Sequence, residues 1–145
     1  MMYSEDEIRE MFQAGIDCGQ IVASGAAERL SLEPEQLSAL AACQGGGLGL
    51  GEICGAVNGA AMVIGLACCG EANDPEAKAA AQSMFASFTQ EFLRRHPSIR
   101  CSRLLGHKIP EEFEDVIREG TMMTLCPRLV HDAQEILESL LAVES

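Results

Sequence analysis

One run constrains this chain more than any other: Cys43-Gln-Gly-Gly-Gly-Leu-Gly-Leu-Gly-Glu-Ile-Cys54-Gly-Ala-Val-Asn-Gly59. It is a glycine-rich loop that feeds a stretch, Ile53 to Gly70, with no charged side chain. That stretch is at the lower edge of a membrane span, and its flanks are Glu52 and Glu71 rather than basic anchors. It reads as the buried central helix of a bundle, from about Glu52 to Cys69. Gly55 and Gly59 are spaced to leave one side of that helix bare, so a neighbour can approach closely.

The rest of the pattern agrees with an all-α bundle. Apolar residues make up 48% of the chain but aromatics only 4%, with no Trp and one Tyr, so Ala, Leu, Met and Gly must fill the core. Few β-branched or aromatic runs argue against a β-sandwich. At 145 residues the chain is expected to form a single domain, residues 1–145, of five to six helices. Ser4 and Glu7 form a capping box, with Tyr3 and Ile8 as a hydrophobic staple, and the first helix follows Ile8, Met11, Phe12, Gly15, Ile16, Gly19 and Val22 to about Gly25. Pro34 opens a second helix ending at Gly45. Asp74-Pro75 opens an Ala-rich helix to about His96, with Met84, Phe85, Phe88, Phe92 and Leu93 inward. Pro110 starts a short acidic helix to Glu119, and Cys126-Pro127 opens the last one.

The formal charge is −12 and no basic patch exists, which excludes nucleic-acid binding. An acidic surface suits a basic protein partner, a cation, or solubility alone. The amino terminus lacks the basic start and apolar core of a signal peptide. Seven cysteines are an odd number, unlike a secreted disulfide framework. A cytoplasmic protein that does not span the membrane is expected. The Ala-rich helix is left free to pair in a homodimer.

Cys54 is the residue to which the loop leads. A thiolate at the start of a helix faces free N–H groups and the positive end of the dipole, which lowers a cysteine pKa. The loop is either a flexible connector or a tight fold that exposes its N–H groups to a thiolate or a cluster sulfide. It lacks the Gly-Lys-Ser/Thr of a phosphate loop, and its Gly47-x-Gly49-x-Gly51 spacing is not a dinucleotide fingerprint. No C-x-x-C or finger spacing announces zinc, so any sulfur site must be assembled from separate helices. Cys43, Cys68 and Cys69 read as small apolar residues. His96 falls in the last turn of a helix, and His107 and His131 stand alone, His131 five residues after Cys126.

These residues resemble the C_GCAxxG_C_C family of redox-active proteins. Cys54-Gly55-Ala56-Val57-Asn58-Gly59 matches the Cys-Gly-Ala-x-x-Gly motif. Gly45, Gly46, Gly47 and Gly51 match the glycine-rich approach to it. Cys18 matches the early cysteine, and Cys101 and Cys126 the two late ones. The resemblance implies a small helical protein with Cys18, Cys54, Cys101 and Cys126 acting together, the glycines (Gly55 included) cradling whatever binds. Two readings follow. Cys54 attacks as a thiolate and Cys18, Cys101 or Cys126 resolves it as a disulfide, with a redox protein as partner. Alternatively, the four thiolates are metal ligands, of an iron–sulfur cluster for electron transfer or of a tetrahedral zinc site.

Overall fold

The computed structural model describes residues 2–70 and 74–144, and among these the protein is all-α. The helices are α1 (Glu5–Gln13), α2 (Cys18–Gly25), α3 (Ala27–Leu30), α4 (Pro34–Leu40), α5 (Gly55–Cys69), α6 (Pro75–Arg95), α7 (Cys101–Leu105), α8 (Phe113–Glu119) and α9 (Thr121–Glu144). The count exceeds the expected five to six because the expected first helix is split into α1 and α2 and the short α3 and α7 are added. Among the described residues no helix is long and apolar enough to cross a membrane.

The apolar α5 lies at the centre, against α2, α6 and α9. Val57, Ala60, Val63 and Ile64 are buried there with Ile21 and Val22 of α2, Phe88 and Phe92 of α6, and Val130, Ala133 and Ile136 of α9. Leu93, expected inward, is instead 46% exposed, because it lies off the face carried by Met84, Phe88 and Phe92. The α2–α5 crossing is glycine-mediated. A Cβ on Gly59 would stand 2.9 Å from the Gly19 carbonyl oxygen and 3.1 Å from Val22 Cβ. Small residues at this crossing let the two backbones approach, and the motif's second glycine is used for packing.

Several boundaries differ from the sequence expectation. The acidic helix expected from Pro110 begins only at Phe113. Residues 110–113 close a turn first, with Phe113 N–H donating to the Pro110 carbonyl. The long first helix is two helices: the chain breaks at Gly15, where φ is +88°, and restarts on a second capping box. There the Asp17 side chain accepts from Gln20 N–H, and the Gln20 side chain accepts from Asp17 N–H. The second helix stops at Leu40, ahead of Gly45. The last helix begins at Thr121, so Pro127 is interior to it. Pro127 has no N–H to offer the Met123 carbonyl four residues back. Arg9 of α1 supplies the missing donor, its Nε standing 3.1 Å from that oxygen. A tertiary contact therefore allows what local preference forbids. The Ser4–Glu7 capping box and the Asp74 cap on Ala77 N–H form as expected.

Candidate functional site

Cys18 is the first residue of α2, directly after its Asp17 cap. Cys54 is the N-cap of α5, and Cys101 is the first residue of α7. Three of the four family cysteines thus stand at helix starts. Cys126 comes from the first turns of α9, just before the buried Pro127. A two-residue antiparallel stitch brings two of these starts together. Cys54 N–H donates to the Ile99 carbonyl at 2.7 Å, and Cys101 N–H donates to the Glu52 carbonyl at 2.6 Å. Arg100 and Glu52 close the stitch on its outer side with an ion pair of 2.7 Å.

The glycine loop is an ordered left-handed turn. Gly46, Gly47, Leu48, Gly49 and Gly51 all have φ between +61° and +72°. Such a succession is open to glycine and strained for Leu48. The turn is pinned at Gly51, where a Cβ would overlap the Ser102 hydroxyl, so it packs directly on α7.

All four cysteines face one cavity of 620 Å³. Its walls include Phe12, Ile16, Leu104, Leu105, Ile109, Phe113, Met122 and Leu129, with Asp17 and Glu114 as the charged groups. Of the glycines singled out in the sequence, Gly45, Gly46 and Gly55 line it; Gly47 and Gly51 do not. Gly47 packs on the backbone of Glu52. Gly49, not singled out, does line the cavity. The Cys18 and Cys54 thiols are neighbours in the cavity wall, Cys18 Sγ lying against the backbone of Gly55, the residue after Cys54. Gly55 makes room for this, because a Cβ there would overlap Cys18 Sγ.

The electrostatics of the cluster favour the protonated thiol at three positions. The contact with Cys54, then burial, pushes Cys18 well above the usual thiol range, and Asp17 next to it adds to the rise. Burial and the Cys18 charge raise Cys101 to about 11. Burial raises Cys126 further still, aided by the charges of Cys18 and Cys101. Cys54 itself is 5% exposed. The Asp17 carboxyl is raised by burial, against the pull of N–H donors from Gln20, Gly19 and Gly45.

Among the described residues, no three of the four sulfurs lie within 4.8 Å of one another. A tetrahedral zinc at about 2.3 Å from each sulfur would need them roughly 3.8 Å apart. The arrangement therefore does not fit a single ion. Among the described residues, the ligand-type side chains that do come within 4.8 Å of one another are His131, Asp132 and Glu135 on α9. Its carboxylates are already engaged: Arg95 stands 2.9 Å from Glu135 and 3.5 Å from Asp132, and His96 Nε2 lies 2.7 Å from Asp132. It is an ion-pair network away from the cysteines. His131 does not line the cavity that Cys126 lines, and His107 pairs with Glu112 and Glu119 at the surface.

The three remaining cysteines are outside the cavity. Cys43 is exposed, contrary to a core role, because the second helix ends before reaching it. Cys68 and Cys69 are half-buried at the end of α5, and Cys68 packs against the main core. Asp17 is the site residue that sequence reading missed. Its signal was present, since Asp17 and Gln20 are spaced as a capping box after Gly15.

Fold and site together define an all-α protein with four thiols gathered round an apolar cavity, three of them at helix starts. A family model described as "Putative redox-active protein (C_GCAxxG_C_C)" matches residues 16–140, and the chain belongs to that family. No curated protein matches the chain, and no solved structure does.

Proposed function

We propose that the protein is a dithiol/disulfide redox protein in which Cys54 attacks and Cys18 resolves. The observation that supports this is the adjacency of Cys18 and Cys54 in one cavity wall, where Cys18 Sγ packs against the backbone of Gly55, next to Cys54. Their roles differ because Cys18, next to Asp17 and raised well above the usual range, keeps its proton and presents it toward Cys54. Cys54 then attacks one sulfur of a substrate disulfide, and the other sulfur leaves as a thiol carrying a proton. Cys18 next attacks Cys54 in the mixed disulfide, expelling the second thiol with the remaining proton. Two electrons pass from the cysteine pair to the substrate, and a Cys18–Cys54 bond remains. A partner dithiol protein would reduce that bond and complete the cycle.

Oxidation of the reduced protein with one equivalent of diamide, followed by peptide mapping, tests the pairing. The expected product links Cys18 to Cys54, and Cys54→Ser abolishes it without unfolding the protein. A product linking Cys54 to Cys101 or Cys126 instead would reassign the resolving residue.

A second reading rests on a separate observation: Cys101 and Cys126 line the same cavity, although a dithiol needs only two sulfurs. Four thiols spread too widely for one ion suit a polynuclear iron–sulfur cluster, with Cys18, Cys54, Cys101 and Cys126 as ligands. Such a group would supply one-electron transfer. Stoichiometric iron and sulfide in protein purified without oxygen would establish this reading in place of the first.

A further inference from the structure

We infer that the substrate of the cysteine pair is a small, uncharged and largely apolar organic disulfide that enters the cavity. This rests on the dithiol reading above and specifies its substrate. Cys54 is 5% exposed, so a disulfide on the surface of a folded partner cannot reach its sulfur without the partner entering the cavity. A volume of 620 Å³ lies in the range of small-molecule sites, about 300–1,000 Å³.

The walls select by charge. Among the described residues, the ionisable lining groups besides the cysteines are Asp17 and Glu114, both acids, with no Lys, Arg or His in the lining. With the chain at −12, an anionic disulfide of the glutathione type meets repulsion on approach and no counter-ion on arrival. Exposed apolar side chains adjoin the lining. Leu48 and Leu50 flank the cavity-lining Gly49 and are 50% and 63% exposed, and Phe113 on the wall is 39% exposed.

The walls also select by leaving group. Cleaving a peroxide expels an alkoxide or hydroxide, which needs a strong donor beside it. Among the described residues no Arg, His, Ser, Thr or Tyr side chain lines the cavity. A departing thiolate, with a conjugate-acid pKa of about 8.5, needs far less help. The balance is RSSR + 2 Cys-SH → 2 RSH + Cys18–Cys54 disulfide. The two thiol protons leave on the two product thiols.

The test uses the full chain with Cys43, Cys68 and Cys69 changed to Ser, reduced and handled without oxygen. Single-turnover release of chromophore is followed with 2,2′-dithiodipyridine, which is uncharged, and with 5,5′-dithiobis(2-nitrobenzoate), a dianion. Each rate is divided by that of free cysteine with the same reagent. The expected result is a preference of about tenfold or more for the uncharged reagent, with Cys18–Cys54 as product. Leu104→Arg, which places a cation on the wall, should erase the preference. Equal normalised rates with a Cys18–Cys54 product would overturn the substrate assignment and leave the dithiol reading intact. Faster turnover of cumene hydroperoxide than of the disulfide would also overturn it. If neither reagent nor diamide yields a Cys18–Cys54 bond, the dithiol reading itself fails, and the substrate assignment falls with it.

Discussion

Gly55→Ala is the substitution on which packing and chemistry depend together. Gly55 is the first residue of α5, and its φ is not in the left-handed region, so only space opposes a side chain there. A Cβ would overlap Cys18 Sγ and stand 2.8 Å from the Gln44 carbonyl oxygen. The sulfur can swing aside, but the backbone oxygen moves only with the loop. Overpacking of this kind costs about 1–3 kcal/mol. Exchanging Gly for Ala in a helix returns up to about 1 kcal/mol, and less at the first position. The net expectation is a loss of about 1–2 kcal/mol. At a urea slope near 2 kcal/mol per molar, that lowers the midpoint by roughly 0.5–1 M. Gly65→Ala is the control in the same helix. A Cβ at Gly65 meets nothing within 4 Å, so the exchange should stabilise by about 0.5–1 kcal/mol. Urea melts of both variants, with disulfide mapping after diamide, measure the two consequences. Gly55→Ala should melt earlier and form less Cys18–Cys54 product, because Cys18 must turn from its partner. A Gly55→Ala protein as stable as Gly65→Ala, with an undiminished Cys18–Cys54 bond, would refute the reasoning.

Brief alkylation with iodoacetamide at pH 7.5 should label the exposed Cys43 first and leave Cys101 and Cys126 largely unlabelled, as read by peptide mass. Arg9→Met should cost about 1–2 kcal/mol in a chemical melt, because the Met123 carbonyl freed by Pro127 loses its donor; a loss no larger than for an exposed arginine such as Arg128 would contradict that role. His107 is raised chiefly by Glu119, then by Glu112, so its contribution is fully present below the ordinary histidine pKa and disappears as pH rises through the higher folded value. The wild type should therefore lose a stability increment between pH 6 and pH 8 that His107→Gln lacks, and parallel curves for the two would rule the effect out. Above pH 9 the sign is again negative: unfolded thiols ionise while Cys101, raised to about 11, holds its proton, so stability should fall less steeply with pH in Cys101→Ala.

Much of this protein is determined locally. The uncharged run after the glycine loop had to be buried, and it became α5 at the centre. The capping box at Ser4 and the Asp74-Pro75 start announce their helices through side-chain oxygens that reach N–H groups three residues on. The sequence left the glycine loop open between a connector and a tight fold; it is the tight fold, and its run of positive φ values favours glycine. The motif around Cys54 and the order of the single cysteines pointed to the family and to the four residues that line the cavity.

The tertiary structure decided the rest. Pro127 reads as a helix start, and only the guanidinium of Arg9, far away in sequence, permits it inside α9. The break at Gly15 sets Cys18 at the start of α2, yet Cys18 reaches Cys54 only because the α2–α5 crossing is made by small residues. The juxtaposition of Cys54 and Cys101 depends on two hydrogen bonds between Glu52–Cys54 and Ile99–Cys101, a pairing no local pattern announces. The cavity comes from side chains of α1, α7, α8 and α9, whose own spacings only mark them as apolar. Local sequence sets which residues begin a helix, because caps and glycines act within a few bonds. Which thiols meet, how far apart they stand and how firmly they hold their protons depend on packing and burial, and these come from the whole chain.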